Sequence, residues 1–325
     1  MASRAVAPSD LPERSQLAAD VRQGLSRPPR WLPSRCFYDA LGSALFDAIC
    51  AMPWYGVARA ERRLLDRHAS ELFERTMPVG TVLELGSGNG EKLRTLLAAA
   101  PSGGRPIEVH LVDVSAAALA SAARAIATVE GVTAVPHQEE YLAGLDVFGR
   151  ARPRRGRTLA LFLGSNLGNY HPPEAGELLR RIREVLRPDD AFGIGVDLVK
   201  PPRRLLLAYD DPLGVTAAFN RNILVHVNRE LDGDFAPEAF AHRALWNASQ
   251  QRVEMHLVSE RRQRVRVRRA DLDIWLGDGE SIWTESSYKY DPAELTRLVE
   301  GAGFVRDAQW IDDLDGFALT LFRAI

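Results

Sequence analysis

The sequence predicts an α/β chain whose core is a mostly parallel, doubly wound sheet and which carries a second unit. Three observations point there. Between residues 80 and 200 strand-like and helix-like segments alternate, the pattern of parallel strands joined by crossover helices. A glycine-rich turn follows the first of these strands, and an acidic residue ends the next. After Lys200 the pattern changes, and it closes on one more apolar strand at the end of the chain.

The elements follow in order. TVLELGSGNG (81–90) is a buried strand running into a glycine turn, and EKLRTLLAAA continues as a helix. EVHLVDVS (108–115) is a second strand ending in an acid, followed by the Ala-rich helix AAALASAARAIATV and then by VTAVPHQEEY. LALFLGSNLGNY (159–170) is a near-continuously apolar strand opening into a polar turn; the helix PEAGELLRRIREVL, the turn RPDD and the strand AFGIGVDLV come next. Beyond Lys200, AAFNRNILVHVNREL reads as helix. The alternating runs at 253–258 and 264–269 read as one antiparallel hairpin. A last helix starts with Asp291 as N-cap and Pro292 in its first turn, stops near Gly301, and leads to GFALTLFRAI, a strand able to rejoin the first sheet. The second unit is therefore discontinuous with the first.

Composition narrows the function classes. Of 325 residues 46% are hydrophobic and 26% charged, enough for a sizeable core, and the formal charge of -2 offers no general attraction to nucleic acid or an anionic membrane. The arginine runs RPRRGR (152–157) and RRQRVRVRR (261–269) have no interleaved aromatics and read as solvated faces. None of the seven histidines is spaced with a partner as a metal ligand, and neither a GxSxG nor a Cys-His signature occurs. Cys36 and Cys50 read as free thiols in a reducing compartment, a bridge between them staying open. With no apolar leader segment and no long uncharged apolar run, the expected location is the cytoplasm.

The loop LELGSGNGEK carries the first chemical hint. Gly86, Ser87 and Gly88 lie where strand hands over to helix, so backbone amides can approach a ligand. Asp113, about twenty-five residues on, is placed to accept both hydroxyls of a ribose. The GSGNG spacing leaves no room for a pyrophosphate, so S-adenosylmethionine suits the loop better than a dinucleotide. Near the other end, WTESSYKY (283–290), if extended, directs Glu285 and Ser287 to one face, a carboxylate beside a hydroxyl. Taken alone, that pair is more often a solvated strand edge.

Longer motifs carry a resemblance. YDALGSALFDAI, MPWYGVARAE, ELGSGNGEKLR, VDVS, GSNLGNYHP, DLVKP, AYDDPLGVTAAFNRNIL, VEMHLVS and GESIWTESSYKY, in that order from Tyr38 to the C-terminus, resemble the histidine-specific Nα-methyltransferases of ergothioneine biosynthesis. The resemblance implies a class I S-adenosylmethionine-dependent methyltransferase domain (Rossmann-like; 61–198 and 286–325) and a substrate-binding domain (8–60 and 199–285) made from an N-terminal segment and a central insertion. It implies that Glu285 and Ser287 grip the imidazole of histidine. Asn169 would orient the α-amino group, Gly164 opening its turn; Tyr55 and Tyr209 would hold the carboxylate, with Tyr38 and Met255 shaping the pocket. Asn169 and Tyr55 are the residues expected to act in catalysis. Gly86, Ser87, Gly88, Lys92 and Asp113 would bind the cofactor, and Glu140-Tyr141 stands where the family has Asp and an aromatic near the adenine. The implied reaction is in-line transfer of methyl to the neutral α-amino nitrogen, up to N,N,N-trimethylhistidine (hercynine), with S-adenosylhomocysteine released. No metal, nucleic acid or membrane takes part, and the enzyme is expected to be a cytoplasmic monomer acting on a free amino acid.

The chain departs from the family at Gly56-Val57, Leu93 and Asn166-Leu167. The alternatives are a family member acting on another aromatic amino acid such as a tryptophan derivative, a non-catalytic nucleoside-binding module, and a nucleic-acid methyltransferase. An indole has one N–H and no ring acceptor, so the Glu285 and Ser287 pair favours imidazole.

Overall fold

A computed structural model describes residues 10–100, 106–151 and 156–325. The residues 1–9 read above for a leader and most of the RPRRGR run lie outside the described residues. The chain divides into two compact units, one of Met1–Tyr55 with Pro201–Ser287 and one of Gly56–Lys200 with Tyr288–Ile325. The first junction stands at Gly56, the start of the helix Gly56–Thr76, where the sequence reading put residue 61.

The larger unit is built on a seven-stranded sheet. Its order across the sheet is Phe304–Asp312, Phe317–Ala324, Ala191–Asp197, Arg157–Phe162, Val79–Leu85, Ile107–Asp113 and Val132–Gln138. The last five are parallel, and Phe317–Ala324 runs antiparallel between Phe304–Asp312 and Ala191–Asp197. Continuous burial along Ala191–Asp197, with helices for neighbours, explains why these strands read as unbroken apolar runs. This is the class I methyltransferase fold. GFALTLFRAI does rejoin the first sheet, and Asp291 caps the last helix by accepting from the Ala293 and Glu294 amides. The core gathers Phe148, Phe162, Phe192, Phe304 and Phe322 with the helix faces of Leu178, Ile182, Leu295 and Val299. Val79–Leu85 and Arg157–Phe162 lie side by side although successive strands from the first onward run the other way. That reversal opens a crevice at the carboxyl ends of the strands.

The smaller unit has the helices Asp10–Leu25, Ala40–Ala51, Pro202–Tyr209 and Val215–Leu231. A four-stranded sheet orders Arg30–Trp31, Ser281–Tyr288, Arg252–Ser259 and Phe240–Asn247, and a two-stranded sheet pairs Leu272–Leu276 with Gln263–Val267. Here the sequence reading needs correction: the runs at 253–258 and 264–269 do not form a hairpin with each other. Arg252–Ser259 pairs through a short turn with Phe240–Asn247 before it, and Gln263–Val267 pairs with Leu272–Leu276 after it. Alternation marks a half-buried strand but not its partner, and the short turns decide the pairing. Cys36 and Cys50 are free thiols. Among the described residues no single helix is long and apolar enough to cross a membrane, and no group of His, Cys, Asp and Glu could hold a metal ion.

Candidate active site

Within the smaller unit Tyr38, Phe46, Ile49, Tyr55, Ala208, Tyr209, Thr216, Phe219, Met255 and Glu285 line a small, half-open recess. Its wall is a run of rings meeting edge to face: Tyr38 to Phe46 at 5.9 Å, Phe46 to Tyr55 at 6.2 Å and Tyr55 to Tyr209 at 6.3 Å. Such contacts hold aromatic walls rigid at low entropic cost. Met255, 2% exposed, supplies the floor. Glu285 is the one carboxylate in this apolar lining.

Local structure explains how each group arrives. Tyr209 ends the helix Pro202–Tyr209, and its carbonyl accepts from the His242 ring at 2.8 Å. Its hydroxyl meets the Ser287 hydroxyl at 2.7 Å, both side chains buried. Asp211 accepts the amides of Leu213, Val215 and Thr216, setting the start of the helix that carries Thr216 and Phe219. The strand Ser281–Tyr288 is not regular. Trp283 stacks on His256 at 6.0 Å under the Arg252 guanidinium, whereas Glu285 lines the recess with Met255, the neighbour of His256 that points the other way. In a regular strand Trp283 and Glu285 would share a face. The burial pattern shifts phase here, Ile282 and Thr284 being buried and then Ser287, while the Trp283 indole donates to the Glu285 carbonyl at 2.7 Å.

The second constellation lies in the larger unit, at the carboxyl ends of its parallel strands. Gly86, Gly88 and Gly90 have φ of 81, 52 and 79°. At Gly86 a Cβ would stand 2.7 Å from both the Asn166 amide nitrogen and the Tyr141 hydroxyl, and at Gly90 it would stand 2.5 Å from the Ala122 Cα. At Gly88 it would meet nothing within 4 Å, so the loop is open on that side. Asp113 accepts from the Gly88 amide at 3.2 Å and the Ser115 amide at 2.9 Å; burial raises its carboxyl above the usual range, and these amides pull it back. Tyr141 stands edge-on to Phe162 at 5.3 Å, with exposed Glu140 before it. Gly164, at φ 78°, opens the turn that ends in half-buried Asn169.

The loop fits the methionine end of S-adenosylmethionine on two counts. The Ser87 hydroxyl is buried and has no hydrogen-bond partner among the described residues, an orphan that a polar ligand would satisfy. The open side of Gly88 faces no protein atom, and the Lys92 ammonium stands in the first turn of the helix that follows.

Every expected site residue is thus placed. Gly86, Ser87, Gly88, Lys92, Asp113, Glu140, Tyr141, Gly164 and Asn169 belong to the larger unit; Tyr38, Tyr55, Tyr209, Met255, Glu285 and Ser287 belong to the smaller. Sequence reasoning missed Phe46, Ile49, Thr216 and Phe219, which sit on helix faces and read as ordinary core. It also missed two buried acids of the larger unit. Glu84 is pushed up to about 8 by burial, with the Glu61 and Asp113 charges adding and Lys92 opposing. Glu61 is wholly buried.

Comparison with known proteins identifies the family. The family described as histidine-specific, S-adenosylmethionine-dependent methyltransferases matches residues 17–324. The chain is 41% identical over 309 residues to the histidine N-alpha-methyltransferase of Mycobacterium tuberculosis, covering 94% of each protein. It is 40% identical, with the same coverage, to the protein of that name from Mycolicibacterium smegmatis. The ergothioneine biosynthesis protein 1 of Neurospora crassa is 26% identical over 87% of this chain and 32% of its own length.

Proposed function

The chain belongs to the family of histidine-specific, S-adenosylmethionine-dependent methyltransferases, and from that premise we propose that it methylates the α-amino nitrogen of free L-histidine, three times, to give the betaine. The observation that carries this reading is Glu285: one carboxylate set in an aromatic recess, beside a buried Tyr209–Ser287 hydroxyl pair. An imidazole offers an N–H to the carboxylate and a ring nitrogen to a hydroxyl, two hydrogen bonds that a purely apolar ring cannot make. The smaller unit is then the substrate domain and the larger the methyltransferase domain.

S-adenosylmethionine supplies an electrophilic sulfonium methyl and leaves as S-adenosylhomocysteine. The work left to the protein is alignment and exclusion of water. Gly86, Ser87, Gly88 and Lys92 hold the methionine end, Asp113 takes the ribose, and Tyr141 with Glu140 borders the adenine. Asn169 orients the amine, Tyr55 and Tyr209 engage the carboxylate, and Tyr38 and Met255 close the ring pocket. Aromatic faces at Tyr38 and Tyr55 favour the growing ammonium by roughly 0.5–2 kcal/mol, which suits repeated methylation. A monomer working in the cytoplasm on a small molecule completes the proposal, in keeping with a net charge of -2.

The test is mass spectrometry of purified protein with S-adenosylmethionine and an equimolar mixture of free amino acids. Stepwise gain of three methyls by histidine alone is the expected result. Methylation of a tryptophan derivative instead would overturn the role of Glu285 while leaving the reaction class standing.

A further inference from the structure

The Glu61 side chain is wholly buried, on the helix Gly56–Thr76. One of its oxygens accepts from the Lys92 ammonium at 2.7 Å, and the Gly164 amide donates to both, at 2.8 and 3.0 Å. A third segment makes room for it: a Cβ on Gly195 would stand 2.2 Å from the Glu61 carboxylate. Lys92 follows the glycine loop, and Gly164 opens the turn that ends in Asn169. A single buried anion therefore ties the cation of the cofactor loop to the turn that carries the amine-orienting amide.

We propose that Glu61 is a positioning residue of this enzyme, holding Lys92 and the Gly164 turn in the arrangement that receives the methionine end of the cofactor. The inference rests on the methyltransferase reading above. A buried carboxylate is costly unless paired and hydrogen-bonded, and both partners of Glu61 are groups of the cofactor side rather than of the distant core. The neighbouring Glu84 does not substitute for it: burial pushes that carboxyl up to about 8, which favours its protonated form at neutral pH, and one of its oxygens has no partner among the described residues. With Glu61 in place the Lys92 side chain is ordered before the ligand arrives, and its rotamer entropy is not lost on binding.

The experiment measures S-adenosylhomocysteine binding by calorimetry for the wild type, Glu61→Gln, Lys92→Gln and the double variant. Glu61→Gln can keep one oxygen as acceptor for both the Gly164 amide and Lys92, the oxygen that already accepts from both, but it removes the charge, so the ammonium loses its ion-pair partner. The expected result is roughly tenfold weaker binding for Glu61→Gln, similar weakening for Lys92→Gln, and a double variant no weaker than the poorer single. Unchanged binding in Glu61→Gln with a lowered melting temperature marks a purely structural residue and overturns the proposal, as do effects that multiply in the double variant. If Glu61→Gln does not fold, the double variant, neutral at both positions, decides alone: wild-type affinity there overturns the proposal. Failure of the wild type to bind the nucleoside would instead defeat the cofactor reading itself.

Discussion

Replacing Glu285 by alanine tests the substrate reading most directly. Among the described residues Glu285 is the only carboxylate lining the recess, whose other lining groups are rings, aliphatic chains, the Met255 thioether and the Thr216 and tyrosine hydroxyls. A hydrogen bond from a neutral donor to a charged acceptor contributes about 1.5–3 kcal/mol. Glu285 is half-buried, so solvent competes and the lower part of that range, about 1.5–2 kcal/mol, applies. At 1.4 kcal/mol per factor of ten this is a rise of about 10- to 30-fold in the histidine KM. Glu285→Gln keeps the shape and one acceptor but loses the charge, and should lie roughly midway on a logarithmic scale, since charge-assisted bonds are about twice as strong as neutral ones. Initial rates at saturating S-adenosylmethionine yield KM and kcat, and calorimetry with S-adenosylhomocysteine reports the cofactor loop, which belongs to the other unit. An unchanged histidine KM, or an equal loss of cofactor affinity, would refute the assignment.

Three further outcomes are expected. Asn169→Ala should lower kcat/KM about 100-fold by misplacing the amine, with S-adenosylhomocysteine affinity retained; normal turnover would remove Asn169 from the mechanism. Gly90→Ala should cost at least about 2 kcal/mol, a drop of roughly 4–8 °C in Tm, because φ is 79° and the new Cβ would meet the Ala122 backbone at 2.5 Å; an unshifted thermal unfolding curve would contradict that strain. Burial lifts Glu84 to about 8 from an ordinary 4.5, so the folded chain keeps a proton that the unfolded chain has released. This group's contribution to stability therefore falls as pH rises from 4.5 to about 8. Between pH 6 and 8 the loss reaches about 2 kcal/mol at most, and Glu84→Gln should abolish it. Denaturant titrations at both pH values check this, and parallel curves for the two proteins would exclude it.

The sequence by itself determined the class I sheet and the glycine loop with its acidic partner. Both are local: an apolar run buried on two faces reads as a parallel strand, and glycines at positive φ with an acid at the next strand end are written within some thirty residues. Pairing in the smaller unit was not local in that sense. The runs at 253–258 and 264–269 share an alternating pattern, and only the turns around them chose separate partners. The strand Phe304–Asp312 escaped notice because its partly exposed residues show no clean period. Tertiary structure alone decided that Glu285 turns into the recess while Trp283 turns away, since that needs a break in alternation that no spacing announces. It alone brought Phe46, Phe219 and Thr216 to the recess, and it alone set Glu61 against Lys92 and Gly164, 31 and 103 residues along the chain. Sequence periodicity says which residues avoid water; which buried groups meet is settled by packing, where a charge must find a partner or remain neutral.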